Sequence, residues 1–118
     1  MSNTKFLEDY LNAFSPVGEE SEGQQIWIDY VKNYADEVKV DPYGTAYAIL
    51  KAKGENAQGH KVVIEAHCDE IAWIITHIES DGYIRVKRAG GSDNMIAASK
   101  SVLIHTHDGG KVKGVFGS

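Results

Sequence analysis

The chain has 118 residues, 42% of them hydrophobic and 25% charged, and a formal net charge of −5. This is the composition of a globular domain with room for a modest core, and it excludes a chain too polar to fold. The acidic balance argues against a nucleic-acid face. The nearest basic group, Arg85, Lys87 and Arg88, is expected on a solvated strand face.

In chain order, Met1 to Tyr10 is polar and carries acids, unlike a signal peptide. No apolar run approaches the roughly 20 residues that span a bilayer, so a cytoplasmic chain without membrane contact is expected. Asn3 or Thr4 can cap a first helix, in which Phe6, Leu7, Tyr10, Leu11 and Phe14 recur at helical spacing. Ser15-Pro16-Val17-Gly18 breaks it. A second helix is expected from about Glu19 to Tyr34, its apolar stripe formed by Trp27, Tyr30, Val31 and Tyr34 and widened by Ile26 and Ile28. Both helices read as scaffold. Val38 to Val40 and Thr45 to Leu50 read as a hairpin around the turn Asp41-Pro42-Tyr43-Gly44. Lys51 to His60 reads as an exposed loop, with His60 solvated.

The stretch Lys61 to Ile71 carries the chemistry. Val62, Val63 and Ile64 form a β-branched run that predicts a buried, parallel strand, and the run ends on His67 and Asp69. In an extended segment these two side chains share a face. An imidazole can then bind a metal through one nitrogen while a carboxylate receives the other N–H. His-x-Asp alone is a weak signal, and a histidine at a strand end is more often structural or solvated. Cys68, the single cysteine, rules out an internal disulfide and fits a reducing compartment. Strand alternation points it away from His67 and Asp69, so a structural thiol is expected rather than a nucleophile. Glu65 and Glu70 flank the site without a spacing that defines an acid/base couple.

Beyond Glu70 the pattern changes. Ile71 to Ile78, Tyr83 to Lys87, Ser101 to Thr106 and Lys111 to Phe116 read as four strands. Turns at 80–82, 90–93 and 108–110 separate them, which suggests a small β-barrel or sandwich. A boundary therefore falls near residues 70–72. His105 and His107 alternate on or beside one strand and could share a face as a metal pair, but no third ligand is fixed by spacing.

Several segments together carry a resemblance. The run Ile64-Glu65-Ala66-His67-Cys68-Asp69-Glu70-Ile71-Ala72-Trp73 resembles the "AHMDEIGF" signature of the TET-type dinuclear metalloaminopeptidases, also called glutamyl or deblocking aminopeptidases. Ser15 to Glu20 resembles their "SGPSGYE"-like loop and Asp41 to Gly44 their "DxxGN" turn, with Thr45 where Asn is usual. Thr76 to Tyr83 and Gly90-Gly91 follow in the same order, and Val102 to Ser118 resembles "VxIHTxDGxxxGVIGS". Cys68 stands for the usual Met and Ala72 for the usual Gly.

The resemblance implies an α/β fold. Residues 1–71 would form the N-terminal part of an αβα-sandwich metallopeptidase domain, and residues 72–118 part of an inserted β-barrel domain. It implies a cytoplasmic, homo-oligomeric aminopeptidase acting on peptides with two divalent metal ions, zinc or cobalt. His67 would be a metal ligand, and Asp69 a catalytic-site carboxylate orienting it. The remaining ligands and the general base would lie outside these 118 residues, so the chain by itself is expected to be inactive, without a complete metal site. Two alternatives stand beside this reading: a non-catalytic, β-rich association module, and an endoglucanase. The latter needs two opposed carboxylates, whereas Glu65, Asp69 and Glu70 lie on one segment.

Overall fold

The computed structural model describes residues 2–54 and 59–117 and shows a mixed α/β chain. Residues 55–58 of the expected 51–60 loop lie outside the described residues. The chain divides after Ala72 into two compact units, Met1–Ala72 and Trp73–Ser118. No described helix is long and apolar enough to cross a membrane.

Unit 1 opens with α1 (Asn3–Leu11), whose cap is Ser2 rather than Asn3 or Thr4: the Ser2 hydroxyl accepts the Lys5 N–H at 3.2 Å. Lys5 and Asp9, one helical turn apart, bond at 2.8 Å on its solvent side. Helix α2 (Ser21–Val31) is shorter at both ends than its apolar stripe suggests. At its start the chain turns through Gly18 at φ 89°, with the Glu19 N–H on Pro16 O. At its end the Asn33 side-chain amide donates to the carbonyls of Asp29 and Tyr30, intercepting acceptors that another helical turn would use. Phe6 stacks on Tyr30 with ring centroids 4.0 Å apart, and Tyr30 donates to Asn3 Oδ1 at 2.6 Å, which locks the two helices together. The tightest packing uses small residues. Ala13 and Ser15 are buried, at 7% and 4% exposure, against Gly23 of α2.

The expected hairpin is present as β1 (Glu37–Val40) and β2 (Ala46–Ile49), antiparallel with Glu37 opposite Ile49 and Val40 opposite Ala46. Its turn is built by Asp41, whose Oδ1 accepts the N–H groups of Tyr43 and Thr45, each at 2.9 Å. Because Thr45 contributes its backbone, the exchange for the family's Asn leaves that bond intact. Gly44, at φ 89°, supplies the left-handed residue of the turn.

Unit 2 holds the four expected strands: β3 (Ala72–Ile78, beginning one residue before the division), β4 (Ile84–Ala89), β5 (Ser101–His105) and β6 (Lys111–Val115). They pair as β3–β4 and β5–β6, two separate two-stranded sheets, so a closed barrel is not formed among the described residues. A short 3₁₀ turn, Asn94–Ile96, capped by Asp93, lies between the hairpins. Trp73 meets Phe116 edge-on at 4.9 Å, joining the first strand to the residue after the last.

The principal correction concerns the central strand. The expected buried strand over Lys61–Ile71 is not formed: residues 60–69 have no regular structure. Val62, Val63 and Ile64 are 87%, 82% and 94% exposed. A strand exists only by pairing its N–H and C=O groups with neighbours. Among the described residues this segment has one pairing, a parallel bridge between Glu70 and Pro16.

Candidate functional site

The site residues lie in this unpaired segment, immediately before its bridge. His67 Nδ1 is 2.9 Å from Asp69 Oδ1 and 3.2 Å from the Asp69 carbonyl oxygen. With Nδ1 held by a carboxylate two residues on, the tautomer carrying its proton there leaves Nε2 as the lone-pair donor. The His67 side chain is 84% exposed, so that nitrogen is open to a ligand. The contact forms without a strand, because two residues of extended chain suffice to bring the side chains together.

Cys68 takes a separate partner. It is a free, half-buried thiol beside the Tyr10 side chain. Burial first, then the neighbouring thiol, pushes the Tyr10 phenol above its ordinary pKa. The cysteine thus neighbours a side chain of α1. Glu70 makes the other tie: its N–H donates to Ser15 O at 2.8 Å, and its Oε1 accepts the Ser15 N–H at 3.1 Å. Both ties were beyond sequence reasoning, although the Ser15–Gly18 motif marked one end of the second.

His77, His105 and His107 belong to unit 2. His77 Nε2 lies 3.5 Å from Glu79 Oε2 on the exposed side of β3, and Glu79 also bonds Arg85. His105 ends β5, whereas His107 falls in the following turn, so the two do not alternate along one strand. Among the described residues, no group of three or more His, Cys, Asp or Glu side chains could hold a metal ion. The donor set at residues 67–69 therefore fits one corner of a metal site: a single imidazole with its orienting carboxylate.

A family model described as M42 glutamyl aminopeptidase matches residues 47–118, which include the whole of this segment. The chain belongs to the M42 glutamyl aminopeptidase family. Among M42-type relatives, it is 33% identical over 116 residues to the "Putative aminopeptidase FrvX" of Escherichia coli (strain K12), covering 98% of this chain and 31% of that protein. Among solved structures it resembles aminopeptidase APDkam598 from the archaeon Desulfurococcus kamchatkensis. The TM-score is 0.84 at 30% identity, over 94% of this chain and 30% of that one. It also resembles PhTET1-12s, a dodecamer in its crystal, with TM-score 0.81 at 28% identity over 100% of this chain and 34% of that one. The chain thus spans about a third of the length of the M42 relatives it matches.

Proposed function

We propose that these residues are the front portion of a metal-dependent aminopeptidase that releases N-terminal residues from peptides. The observation that carries the reading is the 2.9 Å pairing of His67 Nδ1 with the Asp69 carboxylate, within the family-matched region. In this proposal His67 contributes Nε2 to one of two divalent ions, zinc or cobalt, and Asp69 fixes the imidazole's tautomer and direction. The ions, when bound, supply Lewis acidity toward the peptide carbonyl and activate water. Asp69 acts through His67: its carboxylate accepts the Nδ1–H hydrogen bond and so leaves the Nε2 lone pair for the metal.

Residues 1–71 would belong to the catalytic α/β domain and residues 72–118 to an inserted β domain, the remaining two thirds of the protein supplying the other ligands and the general base. Strands from that remainder would also pair with residues 61–69 and cover the exposed Val62–Ile64 run. One ligand cannot hold a dinuclear centre, so these 118 residues alone would be inactive. The dodecameric relative supports a homo-oligomeric complete protein, and the lone cysteine supports a reducing, cytoplasmic setting.

The test is aminopeptidase activity of the full-length protein with added zinc or cobalt, compared with His67→Ala. Metal-dependent release of N-terminal residues that His67→Ala abolishes is expected. Full activity in that variant would overturn the assignment.

A further inference from the structure

We propose that Glu70 is a positioning residue for the His67–Asp69 pair, acting as a clamp that fastens this segment to the buried Ser15 loop. The inference rests on the metallopeptidase reading above and goes beyond it, because it concerns a residue that neither binds the metal nor contacts His67.

Residues 60–69 carry no regular structure, so Asp69, which holds the imidazole at 2.9 Å, is itself placed by where the backbone is fastened next to it. At Glu70 the freedom ends. Its main chain donates to Ser15 O at 2.8 Å, and its carboxylate accepts from Ser15 N at 3.1 Å, so both backbone polar groups of one residue are held by one partner. Ser15 is itself immobilised. It is 4% exposed, is followed by the buried Pro16, and packs against Gly23 of α2. Ser15 is buried, so its N–H needs an acceptor within the protein, and the Glu70 carboxylate supplies it.

Among the described residues the buried Ser15 hydroxyl has no hydrogen-bond partner, so the loop sits where it does although one of its own polar groups goes unmet. Close approach to Gly23 and the two bonds to Glu70 are what hold it there. Through this chain of contacts the rigidity of the helix pair reaches Asp69, one residue before the clamp, and His67, two residues earlier.

The carboxylate's function here is to accept one hydrogen bond, which separates this proposal from an acid/base or charge role for Glu70. In the full-length protein, Glu70→Leu removes the acceptor while keeping bulk and the main-chain bond. Glu70→Gln keeps an acceptor oxygen without the charge. Zinc affinity, measured by chelator competition with zinc alone and expressed per folded protein, is the readout, because a purely structural lesion lowers the folded fraction without changing the affinity of what remains folded.

Glu70→Leu is expected to weaken zinc binding roughly 10- to 100-fold, the range for residues that orient a metal ligand, with Glu70→Gln within about threefold of wild type. Should the Leu variant not fold, Glu70→Ala gives the same comparison. Unchanged affinity in the acceptor-free variant, or a loss in Glu70→Gln equal to that in Glu70→Leu, overturns the clamp. His67→Ala serves as the control: if it too leaves zinc affinity untouched, the metal assignment fails first. If only the Glu70 variants are silent, the clamp alone is wrong.

Discussion

Gly23→Ala probes the packing on which the whole Ser15 loop depends. A Cβ built on Gly23 overlaps Ser15 Oγ, while its next neighbours, Ser15 Cβ at 3.4 Å and Ala13 Cβ at 3.7 Å, are ordinary contacts. Helix propensity alone favours alanine by up to about 1 kcal/mol. Forcing a methyl into a packed position costs about 1–3 kcal/mol. The second effect prevails where the hydroxyl cannot leave, and Ser15 is buried at 4% exposure. Gly23→Ala should therefore destabilise α2 by about 0–2 kcal/mol. In a Ser15→Ala background the overlapping atom is gone, and the same substitution should become neutral or stabilising by up to about 1 kcal/mol. Ser15→Ala itself should be close to neutral, since it deletes a buried hydroxyl that has no partner. Hydrogen exchange of the α2 amides in the full-length protein reads these local opening energies. A coupling of about 1–3 kcal/mol between the two sites is expected. Effects that add to within about 0.5 kcal/mol would refute the contact.

The Glu37 carboxyl, hydrogen-bonded by Lys39 and Lys51, is held well below its ordinary value at about 2. A depressed carboxylate stabilises the fold above its unfolded pKa and loses that contribution as pH falls through the folded value. The β1–β2 hairpin should therefore lose amide protection between about pH 4.5 and 2 and be indifferent above that. An NMR titration should show the Glu37 midpoint rising in Lys39→Ala, and rising less in Lys51→Ala, whose bond is the smaller cause. Gly44→Ala places a side chain at φ 89° and should cost the hairpin about 1–2 kcal/mol, read as faster exchange of the β1 and β2 amides. The 118 residues expressed alone leave Val62, Val63 and Ile64 at 82–94% exposure and should elute well above monomer mass on gel filtration; Val63→Lys with Ile64→Lys should reduce that association.

The sequence announced what local chemistry decides. Asp41-Pro42-Tyr43-Gly44 marked the hairpin because an Asx turn and a left-handed glycine are properties of four adjacent residues. The four strands beyond residue 71 showed through their turns, with ends shifted by two residues or fewer. Misplaced features depended on non-local partners. Val62-Val63-Ile64 has the composition of a buried strand, but a strand is a pairing, and among the described residues the segment pairs only at Glu70. The pattern records the environment the sequence is suited to, and these residues do not create that environment alone. The cap fell on Ser2 because a hydroxyl one residue earlier reached the Lys5 N–H. For the site, His67 and Asp69 stood out by spacing and resemblance. Glu70 also matched the family signature, which suggested a role in orienting the site, but its partner did not show, because Ser15 is 55 residues away in sequence.

The most direct test of the account is zinc- or cobalt-dependent release of N-terminal residues by the full-length protein, measured side by side for wild type, His67→Ala and Asp69→Asn. The account predicts that His67→Ala abolishes activity. Asp69→Asn, which keeps a side chain near Nδ1 but replaces the carboxylate acceptor with a weaker, neutral amide, should retain roughly one to ten per cent. Wild-type activity in both variants would contradict it, since the 2.9 Å pair would then play no part in the chemistry.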